Sequence, residues 1–445
     1  MYRNLINIFK IKELKKKIII TFLLLIIYRV GCYIPLPGVN VNALAEFFSK
    51  IEKAQGRTLL GIMDLFTGGA LMRSTIFSLG IMPYISSSII MQLLTAVIPY
   101  LERLAKEGRS GYEIINQYTR YLTVLLCVVQ GFFLALWLSN EKNFGMSITT
   151  YKGFGFIFTA ILTLTAGTIF IMWLGEQIQE RGIGNGISLI IAAGIISRIP
   201  AAISHIFLFL NQKQISIFNL IILLAFWVIV LLGVILFTQA QRKIPVQYGR
   251  RVIGSKIYAG QSTYLPIKVD MSGVIAIIFA QSVILFPATI ATFFPKKIGI
   301  VRFLSNLLAE RGLGYNIIYI VLILFFMYFY TAMVFNPTEL ANALKKNGGV
   351  IPGIQSGKLT AQYIDYITTR IVFIGAVYVS AIALLPNFIL HFFKVITYDV
   401  ASLFGGTTLL ILVGVILDTA RQIEGKLLTY HYDGFIKGGS LKGRR

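Results

Sequence analysis

The side chains suited to acid–base or metal chemistry are few and scattered. Three histidines occur in 445 residues, His205, His391 and His431. The first two fall in outer loops and the third in the tail, so neither a metal cluster nor a His-centred catalytic set can be assembled. Cys32 and Cys127 sit in or beside apolar runs and read as small core residues, not as a disulfide framework. The glycine-rich Gly182-Ile183-Gly184-Asn185-Gly186 follows an apolar run instead of a strand, so it reads as a tight turn and not as a phosphate cradle. What remains is neutral polarity inside apolar stretches. Pro83, Ser86, Ser87, Ser88 and Gln92 lie in a charge-free run at 75–99, and Gln281, Ser282 and Pro287 interrupt another at 274–294. Lipid leaves such groups unsatisfied, so they fit the lining of a passage or bonds between helices.

The elements that must position these groups are membrane spans. An apolar fraction of 56 % with 13 % charged residues and a mean hydropathy of +0.76 exclude a soluble fold and indicate a polytopic membrane protein. Ten windows are long enough to cross the hydrocarbon: 18–33, 75–99, 121–138, 154–174, 186–199, 215–237, 274–294, 317–335, 371–390 and 400–417. The basic start runs into the first window without a cleavage site, so it reads as mature protein. Of 41 Lys and Arg, 27 fall on the side of the N-terminus and 13 on the other, Arg29 lying inside the first window. That excess puts both termini in the cytoplasm and explains the net charge of +23 as an orientation signal more than a nucleic-acid footprint.

Residues 59–100 read as a broken membrane element. A short apolar turn meets Gly68-Gly69, where a helix is expected to break, and the long run at 75–99 follows. Ten spans divide into two sets of five with opposite topology, and the second span of each set is the interrupted one. Corresponding interruptions point to a pathway between the halves. The expected domains are a cytoplasmic segment 1–17, an N-terminal half 18–200, an external hinge loop 201–214, a C-terminal half 215–420 and a cytoplasmic tail 421–445. Arg29 is the ionisable residue counted inside the spans. This weakens an ion-coupled transporter, which needs buried charge. Two cytoplasmic loops, 238–273 and 336–370, are long enough to be docking surfaces. The first is expected to pair residues 244–248 with 256–258 as a hairpin. The second holds a helix after Pro337, a break at Gly348-Gly349 and a helix from about Thr360.

Several stretches together carry a resemblance over nearly the whole chain. They are YRVGCYIPLPGV at 28–39, FTGGALMRSTIFSLGIMPYISSSIIMQLL at 66–94, EGRSGYEIINQYTRY at 107–121 and MWLGEQIQERGIGNGISLIIAAGI at 172–195. AGQSTYLPIKV at 259–269, ILFPATIA at 284–291, YTAMVFNPTELANALKKNGGVIPGI at 330–354 and FGGTTLLI at 404–411 complete the set. In this order they resemble the SecY family, the channel subunits of bacterial-type Sec protein translocons.

The resemblance implies an all-α polytopic membrane protein with ten transmembrane helices, in two inverted five-helix halves around an hourglass pore. The pore ring would be Ile81, Ile85, Ile191, Ile278 and Ile411, branched apolar side chains that resist wetting and grip a passing chain without specific bonds. The plug would be residues 60–73, including Leu60, Ile62, Met63, Phe66, Gly68, Gly69 and Arg73, with the glycine pair as hinge. The second and seventh spans would form a lateral gate held by Ser87, Gln92, Asn185, Gln281 and Ser282. Arg250, Arg251, Lys256, Lys345, Lys346, Gln355 and Lys358 would dock the ribosome and the SecA motor ATPase. Gln355 stands where the family usually has an arginine that couples to SecA, and Ser356 where proline is usual.

The implied function is a non-enzymatic, cofactor-free channel. It passes unfolded secretory polypeptides and releases transmembrane segments sideways into the bilayer once a signal sequence engages it. SecE-like and SecG-like small membrane subunits are implied partners. The home is a bacterial plasma membrane or an organellar membrane of bacterial descent. The rival from another class is a secondary transporter of a small solute, which needs a charged midplane site. A membrane-embedded enzyme would need paired catalytic side chains there.

Overall fold

The computed structural model describes residues 11–47, 64, 67–140, 147–151, 153–213, 216–248, 251–253, 256–258, 262–293, 313–392, 400–401 and 404–438. The first half comprises α1 (Lys12–Gly31), α2 (Met82–Val97), α3 (Pro99–Lys106), α4 (Arg109–Ser139), α5 (Phe154–Arg181), α6 (Gly186–Ile196) and α7 (Ile199–Asn211). The second comprises α8 (Ile217–Gln239), α9 (Gly273–Phe293), α10 (Leu313–Val334), α11 (Pro337–Lys346), α12 (Lys358–Phe392) and α13 (Gly406–Gly438).

Each of the ten apolar windows carries a helix. Among the described residues, seven helical stretches are long and apolar enough to cross a membrane unaided, with α2 and α3 a bent pair. The α1 helix misses that test because Lys15, Lys16 and Lys17 are wound into its first turns. The chain turns by 98° between α2 and α3. Ile98 is extended there at ψ 116°, the conformation that a following proline imposes.

Two sequence expectations change. The run at 75–99 becomes helical only at Met82, because residues 68–81 form turns in which Gly68, Gly69 and Gly80 take φ of +66°, +90° and +57°. Pro83 occupies the first turn of α2, where its missing N–H leaves no bond unmade. The expected hinge loop 201–214 is mostly helix α7, which starts at Ile199 with Pro200 in its first turn, after a turn at Ser197-Arg198, and exposes Phe207 and Leu208.

Close approach of the helices depends on glycine at two places. A Cβ on Gly186 would overlap the carbonyl oxygen of Gly175, which lets the start of α6 lie against α5. A Cβ on Gly31 would overlap the Phe77 ring, and one on Gly167 the Ile76 carbonyl oxygen, so residues 76–77 are held between α1 and α5. Phe77 stacks on Tyr28 with ring centroids 6.0 Å apart. Cys32 and Cys127 are buried free thiols, as expected of core residues.

The strands lie in the long loops. β1 (Gln241–Tyr248) pairs antiparallel with β4 (Ser262–Lys268), from Gln241 opposite Lys268 to Gln247 opposite Ser262. β2 (Arg251–Ile253) pairs with β3 (Lys256–Tyr258) as a separate small hairpin. The expected pairing of 244–248 with 256–258 is therefore corrected. Residues 263–267 supply the longer run of strand-forming side chains opposite β1, and the middle of the loop closes on itself. β5 (Gly349–Val350) from the second loop adds to the free edge of β1. Ile244, Val246 and Ile267 face inward and share a small apolar core with Leu344, Ile351 and Ile364. The two loops are thus one folded platform.

Candidate functional site

The two halves meet along two seams. On one, α9 packs against α2 and α4; on the other, α6 packs against α13. Between them Ile81, at the N-cap of α2, and Ile85, one turn on, share a buried apolar cluster with Ile191 of α6, Ile278 of α9 and Ile411 of α13. None of the five is more than 6 % exposed. A cavity of about 230 Å³ adjoins this cluster on the side of the long loops, its apolar wall including Ile277 and Leu410 and its rim Lys268, Asp270, Asp418 and Arg421. The arrangement is a polar vestibule closed by branched aliphatic side chains, which resist wetting.

Asp64 and residues 67–81 lie against the first half. The Arg29 guanidinium donates to the Gly68 carbonyl at 2.8 Å and the Tyr28 hydroxyl to that of Thr67 at 3.4 Å. Gly68 also sits where a Cβ would come within 2.9 Å of the Gly194 Cα on α6. Arg73 stacks over the Tyr33 ring at 4.5 Å. Ser74 accepts from the Leu36 backbone N–H and Ile34 from that of Ile76, pinning the far end to the loop after α1. Of the expected plug residues, Leu60, Ile62, Met63 and Phe66 lie outside the described residues.

Four of the five expected gate residues find partners within their own half. Ser87 donates to the Pro83 carbonyl at 2.8 Å and Gln92 to Ser88 Oγ at 3.2 Å, both inside α2. Asn185 caps α6 by accepting from the Ser188 N–H. Gln281 accepts from Tyr319 of α10 at 2.8 Å, and the buried Ser282 hydroxyl has no hydrogen-bond partner among the described residues. None of these bonds links α2 to α9. By contrast, the other seam carries one: the Gly184 N–H donates to Gln422 Oε1 at 3.0 Å. The 182–186 turn is also tied to α1, since Ile183 N–H donates to Thr21 Oγ1 at 3.0 Å. The glycine-rich motif is a turn, with Gly184 at φ +91°.

On the platform, Lys345, Lys346, Gln355 and Lys358 are all exposed. Gln355 follows a turn with Gly353 at φ +80°, and its carbonyl accepts from Thr360 Oγ1 at 2.9 Å. Arg251 and Lys256 sit on the β2–β3 hairpin, and Arg250 lies outside the described residues. Asp64, Tyr319, Thr21 and Gln422 were not singled out by sequence; each is an ordinary residue whose partner is at least 38 positions away. Arg198 was not singled out either, although it lies inside the 186–199 window that the sequence reading took to be free of charge.

The SecY family model matches residues 75–420. A protein translocase subunit SecY of Aquifex aeolicus is 42 % identical over 432 residues, covering 97 % of this chain and 98 % of the relative. Another, of Thermotoga maritima, is 42 % identical over 446 residues and the full length of both. Among solved structures, a protein-conducting channel superposes with a TM-score of 0.65 at 19 % identity, covering 93 % of each chain. A SecY channel described for a plug domain that stabilises its closed state superposes at 0.64 and 20 % identity, with the same coverage. The channel of a canine ribosome–channel complex from the endoplasmic reticulum also gives 0.64 and 20 %, again covering 93 % of each.

Proposed function

The chain belongs to the SecY family, and on that premise we propose that its two seams are unequal and that the weaker one is the sideways exit of a protein-conducting channel. The chain is a membrane protein and a translocase subunit whose work is protein translocation. Ile81, Ile85, Ile191, Ile278 and Ile411 form the constriction, residues 60–73 the plug, and α2 with α9 the lateral gate. No chemical step is assigned to the channel itself; a motor, the ribosome or the membrane supplies the energy.

One observation carries the gate reading: the α6–α13 seam is crossed by the Gly184–Gln422 bond, whereas no side-chain hydrogen bond among the described residues links α2 to α9. In a bilayer, apolar packing alone holds helices weakly because lipid tails compete equally well for the same surface. An apolar signal helix can therefore replace α9 on α2 at little cost. The exposed Lys345, Lys346 and Lys358 on the folded platform suit a ribosome or a SecA-like motor on the cytoplasmic face, with both termini on that side. SecE-like and SecG-like subunits would cover part of the exposed apolar perimeter.

Cysteines placed along α2 and α9 should crosslink to an arrested signal sequence in membranes. Crosslinks confined to α6 and α13 would overturn the gate assignment. Uptake of an unfolded precursor by vesicles holding the channel and a SecA-type motor, compared with uptake of labelled small solutes, tests the conduit itself.

A further inference from the structure

We propose that the buried ion pair between Asp64 and Arg198 is a latch that sets how readily the plug leaves its seat. The inference rests on reading residues 60–73 as the plug. Arg198 Nη2 donates to Asp64 Oδ2 at 2.7 Å, with the Asp64 side chain fully buried and that of Arg198 17 % exposed. Oδ1 of the same carboxylate accepts from the Met72 backbone N–H at 2.8 Å, and the Asp64 carbonyl accepts from the Gly69 N–H at 3.0 Å. One side chain thus closes the turn at 64–72 and ties it to the junction of α6 and α7.

Burial makes this contact behave as a switch. A paired, hydrogen-bonded carboxylate is tolerated away from water, whereas the same group left unpaired and dry is strongly unfavourable. Displacement exposes both charges to solvent, and hydration offsets the lost attraction. The segment is stable when seated with its charges paired, or when withdrawn with both hydrated. Intermediate positions, separated but still dry, are disfavoured.

The latch is also independent of the lateral gate. The partners of residues 64–76 described above are Tyr28, Arg29, Tyr33, Ile34, Leu36 and Arg198, all in the first half. Parting α2 from α9 leaves every one of these contacts intact. Plug release and sideways opening are therefore separate events, and the ion pair governs the first.

The test uses the complete channel complex in planar bilayers. The variants are Asp64→Asn, which keeps the acceptor for Met72, Arg198→Gln, the double variant D64N with R198Q, and deletion of residues 60–73. Each single variant should raise resting ion conductance by roughly tenfold, the order set by losing a charge-assisted buried bond. The double variant should leak no more than about twofold above the leakier single, since either change alone already removes the pair. Signal-sequence crosslinking to α2 and α9 should not change in Asp64→Asn. Single variants as tight as the parent while the deletion leaks would remove the latch and keep the plug. A deletion that does not leak would remove both. A double variant whose leak is the product of the two singles, as for independent sites, also counts against the pair, as does altered crosslinking in Asp64→Asn.

Discussion

The Tyr319 hydroxyl donates to Gln281 Oε1 at 2.8 Å, so the amide that interrupts α9 is satisfied from α10, within its own half. Polarity in this helix strengthens the half instead of bolting it to its partner. Removing one partner of a buried bond strands the other, while removing both is close to neutral. Tyr319→Phe should therefore lower the melting temperature of the purified protein, at about 0.6–1.7 kcal/mol for one such bond between membrane helices. Adding Gln281→Leu should recover most of the loss. Thermal unfolding in detergent checks both, and additive losses would refute the pairing.

The five clustered isoleucines make a second prediction. Replacing Ile81, Ile85, Ile191, Ile278 and Ile411 with serine gives water hydroxyls to bond where none exist now. Ion leak through the resting channel should rise and weak signal sequences should be accepted. Single-channel conductance unchanged from the parent would dismiss the constriction.

The glycine contacts predict where the bundle is least tolerant. Gly186→Ala drives a methyl into the Gly175 carbonyl, and Gly167→Ala drives one into that of Ile76. Backbone cannot swing away as a side chain tip can, so each should cost about 1–3 kcal/mol or more. Gly425→Ala, with open space around it, serves as the control and should be silent.

Charge on the platform is accessible to experiment in the same way. Reversing Lys345, Lys346 and Lys358 to glutamate should weaken ribosome binding by roughly tenfold or more and flatten its salt dependence, because released counterions drive such contacts. Cosedimentation across a salt series measures this. Binding that is unaffected would mean these lysines face solvent only.

Gln355 offers a gain-of-function test. Gln355→Arg adds a charged, forked donor to an exposed turn whose backbone is already shaped by Gly353. Motor-driven precursor uptake should increase by up to roughly tenfold, the worth of one charge-assisted bond. No increase would show that this chain couples to its motor through other residues.

The spans were legible because lipid imposes a length and forbids charge, and each of the ten windows carries a helix. The Gly68-Gly69 break was legible for a similar reason, since both residues adopt a backbone that glycine alone takes freely. The start of α2 was not, because residues 75–81 are as apolar as a helix while being wound into turns by Gly80 and by pairing with residues 34–36. The hairpin partners of β1 were misread because β-branched and aromatic residues occur on both sides of the loop centre and short strands carry little register information. Arg198 stands in the sequence as a charge inside an apolar window, but its partner Asp64 lies 134 residues away. Composition shows that a charge needs an answer and cannot say which residue gives it.

The bond from Gly184 to Gln422 has a mechanical consequence. It stitches the two halves at one rim, beside the point where Thr21 anchors the same turn. A pair of covers fastened along one spine swings widest at the opposite edge, so a small rotation there is magnified where α2 faces α9. On the proposed gate reading, the aperture offered to an incoming chain is graded, narrow beside the stitch and generous away from it, which steers bulkier passengers toward the lipid.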